Sequence, residues 1–372
     1  MSKKIIMTVT NDLVSDQRVK KVANSLYQMG FDILLIGRQM RKSPPMDIRP
    51  YSVKRFKLLF EKGKLFYAEY NIRLFFYLLF HRFDIAHAND LDTLLPCTLV
   101  CQLKNKKLIY DSHEYFTEVA ELVNRPNIQK IWKKIERYCF PKTLHTFTVC
   151  QPIADLYQNE YHKQVLVMRN IPPQRIYSIK KSRKDLQLPE DKAILIVQGS
   201  GINIQRGVEE LVEAMQYVQN AILLIIGNGD VVPQLKQMSR LQHTEDRILF
   251  FDRMNYEDLF NYTILADIGF SLDKNISINH LYALPNKLFD FIRASVPIVA
   301  SPMQEVAKII REYQIGCVLK EVSVEEIANT VNHLLSHREE LAIMKSNLEK
   351  ASNDLCWENE EKILQSVYQQ LK

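Results

Sequence analysis

LYALPNKLFDFIRASVPIVAS, residues 281–301, is the stretch whose reading decides the fold. It reads as a turn, a helix and a buried strand. Pro285 suits the first turn of a helix, where its missing N–H leaves no bond unmade. Leu288, Phe289, Phe291 and Ile292 fall at helical spacing and give one apolar stripe. Val296–Ala300 is short, apolar and partly β-branched, as expected of a parallel strand covered on both faces. A helix entered through Leu284 and Pro285 at the mouth of a cleft turns unpaired backbone N–H groups toward it, a setting suited to phosphate. Asp290 lies about a turn and a half further in. It either faces the same cleft, where it would accept hydrogen bonds from sugar hydroxyls, or is a surface carboxylate of an ordinary αβ unit.

The same βα rhythm runs upstream and downstream. Ala193–Gln198 reads as a strand that turns through GSGINIQRG, residues 199–207, into a helix over Val208–Tyr217. Ala221–Ile226 is the next strand and ends in Gly227-Asn228-Gly229-Asp230. The chain has only ten glycines, and five of them (Gly199, Gly201, Gly207, Gly227 and Gly229) fall in these two turns. A scarce residue concentrated in this way implies positive φ or a ligand approaching the backbone closely. Arg206 stands at the entrance of the following helix, placed to meet a diphosphate. Strands over Arg247–Phe251, Ile268–Leu272 and Gly316–Leu319, with intervening helices, complete this half. Two further helices, Glu339–Leu348 and Trp357–Leu371, follow.

The first half opens with a strand at Lys4–Thr10, a helix from about Ser15 to Met29, Gly30 as its cap, and a strand at Phe31–Ile36. This is the βαβ start of a doubly wound sheet. Its first turn lacks GxGxxG and is polar instead: NDLVSDQRV. Asn11, Asp12, Ser15, Asp16 and Arg18 thus sit beyond a strand's carboxyl end, where such sheets hold ligands; the alternative is an N-cap cluster around Ser15 and Asp16. Strands at Phe83–Asn89 and Lys107–Tyr110 also end in polar residues. They bring His87, Asn89, Asp90, Asp92, Asp111, His113 and Glu114 to the same edge. Asp90-Leu91-Asp92 matches a metal-binding DxD, a pattern short enough to arise by chance. Val53–Arg82 mixes basic residues with Phe, Leu and Tyr. It reads as a basic amphipathic surface helix, then a more buried one, broken near Gly63. Lys54, Arg55, Lys57, Lys62 and Lys64 cluster at its start, where they either touch anionic lipid headgroups or are solvated on a helix packed against the sheet. Strands at Phe147–Cys150 and Val165–Met168 end this half, and Arg169–Pro173 (RNIPP) reads as an interdomain crossing.

The chain has 372 residues, enough for two domains, with 47% hydrophobic and 25% charged residues. A core of that size needs no staple. The net charge of +6 fits anionic ligands or an anionic membrane surface and does not call for nucleic acid. Of six cysteines, only Cys97 and Cys101 are close, and no second pair completes a zinc site. Reduced cysteines in a cytoplasmic protein are the expectation. MSKKIIMTVTND reads as a first strand rather than a signal peptide, and no apolar run reaches the length of a membrane span.

Seven marks in order resemble the GT-B glycosyltransferases of family 4 (glycosyl transferases group 1). They are ND-x3-DQRV, HANDLDTLLP, YDSHEYF, RNIPP, GSGINIQRG, IIGNG and LPNKLFD-x6-PIVAS, and they cover nearly the whole chain. The resemblance implies an α/β GT-B fold, two doubly wound Rossmann-like domains facing a central cleft. Residues 1–170, completed by a C-terminal helix at about 357–372, would bind the acceptor, and residues 171–356 the nucleotide sugar. It further implies that Arg206, with Lys287 adding charge, binds the donor diphosphate, and that Gly199, Gly201, Gly207 and Gly227 let backbone approach it. Leu284 and Pro285 would carry the helix entrance, Asp290 would bind ribose hydroxyls, and His113 would lie near the transferred sugar. Asn11, Asp12, Asp16, Arg18, Asn89, Asp90, Asp92 and Glu114 would line the acceptor side. The expected activity is a metal-independent, retaining hexosyl transfer without a cofactor, from a UDP- or GDP-linked sugar to a glycan or lipid-linked acceptor. Its setting would be the synthesis of a cell-surface polysaccharide or glycolipid, in the cytoplasm or peripherally at the inner face of the membrane. Two residues depart from the family pattern. Tyr282 stands where the first glutamate of its E-x7-E motif is expected, and Ser200 follows Gly199 where a basic residue is frequent. Ser277, Asn279 and His280 lie just upstream and offer polar replacements near Tyr282. A nucleotide-sugar epimerase-like enzyme and a non-catalytic nucleotide-sugar-binding protein are the competing readings.

Overall fold

The computed structural model describes residues 2–14, 16–174, 181–199 and 201–372, so Ser15 and Ser200 lie outside the described residues. The chain divides into two units: Met1–Asn170 with Asn359–Lys372, and Ile171–Glu358.

The first unit is built on seven strands: β1 (Lys4–Asp12), β2 (Asp32–Gln39), β3 (Ser52–Lys57), β4 (Ile85–Asn89), β5 (Lys107–Asp111), β6 (His145–Thr148) and β7 (Leu166–Val167). Their order is β3-β2-β1-β4-β5-β6-β7, parallel throughout. The order reverses between β1 and β4, and a doubly wound sheet holds its ligand beyond the carboxyl ends of the strands at such a point. The helix Gln17–Gln28 turns Val19, Val22, Ala23 and Leu26 inward. The C-terminal helix, Trp357–Gln369, belongs to this unit's core through Tyr368, which is fully buried and meets Phe31 edge-on at 5.6 Å.

Ser52–Lys57 corrects the sequence reading: it is an edge strand, and the only helix in Val53–Arg82 is Gly63–Phe80. Lys54, Arg55 and Lys57 therefore sit on a strand. Phe56 alone is buried there, against Tyr70 and Tyr77. Alternation over so few residues is masked when the polar positions are long basic side chains, which are themselves a common guard on edge strands.

The second unit has six strands: β8 (Ala193–Gly199), β9 (Ala221–Gly227), β10 (Ile248–Phe251), β11 (Ile268–Ser271), β12 (Ile298–Ala300) and β13 (Gly316–Val318). Their order is β10-β9-β8-β11-β12-β13, again all parallel, with the reversal between β8 and β11. Alternate residues serve two cores. Leu195, Val197, Leu223 and Ile225 enter one; Ile194, Ile196, Ile222 and Leu224 enter the other. That is the pattern of strands buried on both faces. All four stripe residues of the 281–301 stretch, Leu288, Phe289, Phe291 and Ile292, lie in the second core. The Phe291 ring sits where any Cβ at Gly269 would be, 2.8 Å away. The helix begins at Asn286, with Pro285 as its N-cap in an extended conformation, and the strand shortens to Ile298–Ala300.

Candidate functional site

In the second unit the site is organised by one carboxylate, Asp273, just past β11. It is 7% exposed and meets two cations: Arg206 Nη1 lies 2.5 Å from Oδ1 and Lys287 Nζ 3.2 Å from Oδ2. Burial alone would raise its pKa. The Lys287 and Arg206 charges overcome this and hold it below the ordinary carboxylate range. The Ser301 hydroxyl, at the end of β12, donates to the Asp273 carbonyl at 2.6 Å, and Lys274 N donates to Gln205 O at 2.9 Å. The loop beyond β11 is thereby tied both to the next strand and to the glycine turn.

The five glycines of the two turns divide. Gly227 (φ +138°) has no room for a side chain: a Cβ there would lie 1.8 Å from Gly199 O. Gly207 (φ +69°) is closed by Leu272 O at 2.5 Å, and Gly229 by Ile202 O. Packing explains all three. At Gly199 and Gly201 a Cβ would meet nothing closer than 3.9 and 3.7 Å. These two leave the backbone open, as a ligand lying on it requires.

Asp290, on the helix Asn286–Arg293, accepts a 2.8 Å hydrogen bond from the Tyr256 hydroxyl. Leu284 is half-buried and packs against the second core. Tyr282 is half-buried at the end of the helix Ile278–Tyr282. Ser277 caps that helix, accepting from His280 N at 3.2 Å, and its hydroxyl lies 3.0 Å from His280 Nδ1. Asn279 is buried.

In the first unit the centre is Asp111, fully buried at the end of β5. Arg18 grips it with two bonds, Nε to Oδ2 at 3.0 Å and Nη2 to Oδ1 at 2.6 Å, and donates to Met168 O at 2.8 Å. Burial opposes the charge, yet Arg18 and His113 hold Asp111 well below the carboxylate range. His113 is clamped on both ring nitrogens: Nδ1 lies 3.2 Å from Asp90 Oδ2, and Nε2 3.4 Å from Asp111 Oδ2 and 3.3 Å from Asn89 Oδ1. Burial disfavours the imidazolium, but Asp90 and then Asp111 outweigh it and lift its pKa to about 9. Behind Asp111, His87 Nε2 is 3.9 Å from its Oδ2, and His87 Nδ1 is 2.5 Å from the Tyr368 hydroxyl. The C-terminal helix therefore closes the same network from below.

Asp90 takes φ 61°, a conformation rare for a residue with a side chain, and uses it to turn its carboxylate to His113; Oδ1 also accepts from His113 N at 2.9 Å. Asp92 goes elsewhere. Its Oδ2 accepts from the Thr10 hydroxyl at 2.5 Å, and burial, with the Asp90 charge adding to it, raises its pKa to about 8. The two carboxylates of D-L-D thus have different partners. Asp16 caps the helix Gln17–Gln28, accepting from Val19 N at 3.1 Å and from the Asn11 side chain at 3.0 Å. Asp12 accepts from Val14 N, the Ser43 hydroxyl and Arg55. Glu114 is half-buried, its carbonyl bonded by the Ser112 hydroxyl. Arg18, read from sequence as lining the ligand edge, is 3% exposed and holds Asp111 from beneath.

Sequence reasoning missed Asp273, Ser301 and Tyr256. Asp273 carried a signal: it is the first charged residue beyond the apolar run Ile268–Leu272, at the edge already marked by the glycines. All six cysteines are free thiols, and none joins either site.

The clamp has a direct consequence. His113 should titrate near 9 instead of its ordinary 6.5, as followed by imidazole resonances across pH. Because its folded pKa is raised, its contribution to stability is complete below 6.5 and is lost as pH climbs through about 9. A midpoint near 6.5 would mean that Asp90 and Asp111 do not act on it.

Two family models match the chain, Glycosyltransferase Family 4 over residues 16–171 and Glycosyl transferases group 1 over residues 178–351. Among curated proteins none matches. Several solved structures are similar along their whole length. Sucrose-phosphate synthase from Thermosynechococcus elongatus superposes with a TM-score of 0.82 at 15% identity, covering 99% of each chain. WaaG, a glycosyltransferase of lipopolysaccharide biosynthesis, gives 0.74 at 14%, covering 97% of this chain and 98% of its own. HepE from Anabaena, in complex with UDP-glucose, gives 0.72 at 13%, with 99% of each covered. At such identities the likeness establishes the fold. The two family models between them span both units, and the two parallel sheets match those of the glycosyltransferase structures above: the chain belongs to the GT-B glycosyltransferases of the family 4, group 1 type.

Proposed function

We propose that the chain moves a hexose from a UDP- or GDP-linked sugar to a glycan or lipid-linked acceptor, with retention at the anomeric carbon and without a metal or cofactor. The setting would be the cytoplasmic assembly of a cell-surface polysaccharide or glycolipid. One observation carries the donor half of this reading. Arg206 and Lys287 converge on a buried Asp273, and the turn that leads to Arg206 has open backbone at Gly199 and Gly201. Two positioned cations and an unobstructed backbone turn suit a diphosphate. The UDP-glucose held by HepE supports the same donor class.

The step breaks the bond between the anomeric carbon and the diphosphate oxygen, and the electron pair leaves with the nucleoside diphosphate. An acceptor hydroxyl oxygen bonds to the same carbon and gives up its proton to the departing diphosphate oxygen. Negative charge grows on the leaving group, so cations fixed in place before the reaction stabilise the transition state more than the ground state. Asp290, oriented by Tyr256, would accept from the ribose hydroxyls. His113, with both ring nitrogens on carboxylates and a pKa of about 9, enters as a fixed positive charge and not as a base at neutral pH. Asn89, Asp90 and Glu114 would shape the acceptor edge around it.

Thermal shift against a panel of uridine and guanosine diphosphate sugars tests the donor. At a hundredfold excess over Kd, a binder stabilises the fold by about 2.7 kcal/mol. Product analysis with the stabilising donor, with and without a chelator, tests the rest. Sugar transfer that persists in the chelator is the expected result. Binding without turnover over a broad acceptor panel would favour the non-catalytic reading, and a new free nucleotide sugar the epimerase-like one.

A further inference from the structure

The helix Gly63–Phe80 is apolar on both of its sides. Phe66, Tyr70, Leu74 and Leu78 face the core of the first unit. On the opposite side Leu65, Ile72, Phe76 and Phe80 form a second stripe, and each is at least half exposed. Phe76 and Phe80 lie parallel, ring centroids 6.4 Å apart. A helix apolar all round is normally covered all round. Two more apolar residues are held beside the stripe. Glu69 accepts from Leu59 N at 2.9 Å and Phe60 N at 3.0 Å, fixing a loop in which Leu59 is 75% and Phe60 44% exposed. An ordered loop presenting such residues to solvent is a built surface rather than a scattered one.

The charges around it are mostly basic. Lys62 and Lys64 mark the start of the helix and Arg82 follows its end, all exposed. Arg73 lies on the helix, and exposed Lys54 and Lys57 lie on the edge strand β3 beside it. That strand is tied to the helix by Arg73 donating to Lys57 O at 2.9 Å and by Lys54 Nζ 4.9 Å above the Tyr77 ring. The nearby carboxylates are already engaged: Glu69 with Arg73 and the two loop amides, Glu61 with Arg41 N. No described helix is long and apolar enough to cross a membrane. An apolar stripe rimmed by cations, and too short to span, matches the face of a bilayer that offers acyl chains beneath anionic headgroups. A second copy of this chain fits less well, because a two-fold contact would set these cations against themselves.

We propose that Leu59–Phe60 and the outer face of the helix Gly63–Phe80 dock the first unit on an anionic phospholipid membrane, with Lys54, Lys57, Lys62, Lys64, Arg73 and Arg82 on the headgroups. The inference stands apart from the assigned chemistry, since none of these residues belongs to either candidate site.

Co-sedimentation of the full chain with vesicles tests it. Vesicles of equal parts phosphatidylcholine and phosphatidylglycerol should bind the protein, vesicles of phosphatidylcholine alone should not, and added salt should weaken the binding. Ile72→Asp with Phe76→Asp should reduce binding at least tenfold, and so should Lys57→Glu with Lys64→Glu. Both pairs point outward, so circular dichroism and the melting temperature should stay near wild type. Absence of binding to the anionic vesicles by the wild type would overturn the proposal. So would binding that neither pair of substitutions reduces, or a wild-type dimer that Ile72→Asp with Phe76→Asp converts to monomer.

Discussion

Arg18→Ala is expected to destabilise the first unit by about 3–5 kcal/mol, the cost of leaving a buried charge without its partner. Arg18 is 3% exposed and Asp111 is fully buried, so neither group recovers water when the other is removed. The pair is bidentate, and the third guanidinium nitrogen satisfies the Met168 carbonyl. For a domain of this size such a loss lowers the melting temperature by roughly 6–20 °C. Calorimetry or a denaturant midpoint reads it. Acid sensitivity should change as well. A carboxylate with a lowered folded pKa contributes stability present above its unfolded value of about 3.9 and lost as pH falls through the folded one. Without Arg18 that contribution shrinks, and the acid limb of the stability curve should flatten. Arg18→Lys should not rescue, because a single ammonium cannot supply the two parallel bonds. A loss below about 1 kcal/mol would mean that His113 alone neutralises Asp111, given what a net hydrogen bond is worth.

Arg206→Ala is expected to weaken nucleoside diphosphate binding by about ten- to a hundredfold, the range for losing a charged hydrogen-bond donor of about 1.5–3 kcal/mol. Arg206 is about one-third exposed and, among the described residues, its side chain pairs with Asp273, so its removal should leave the fold nearly intact. That separates it from Arg18, whose loss is structural. Calorimetric titration with the nucleoside diphosphate gives the affinity directly, and an unchanged value would refute the role. Lys287→Ala should show a smaller effect in the same direction, since Asp273 and Arg206 remain together. If turnover falls further than affinity in either variant, the cation acts mainly on charge that develops in the transition state.

Much of the site could be read in the sequence because its elements have local signatures. The stripe Leu288, Phe289, Phe291 and Ile292 named a helix, the apolar runs named strands, and the scarce glycines named the turns at one edge of the second sheet. The 53–82 segment was misread at its start. Six residues with one buried side chain, Phe56, carry too little periodicity to show an edge strand when four neighbours are basic or polar.

The sequence by itself determined two doubly wound halves, the edges that carry polar residues, and the family. The tertiary structure decided which of those residues face each other. Arg18 meets Asp111 across 93 positions and Arg206 meets Asp273 across 67. In both cases the meeting follows from a strand order that reverses, which brings distant stretches of chain to one edge of a parallel sheet. Propensity and periodicity act over a few residues, so they place each side chain at an edge. Burial and charge pairing depend on what the other strands bring to that edge, and they alone separate Arg18, sealed beneath its carboxylate, from Arg206, about one-third exposed.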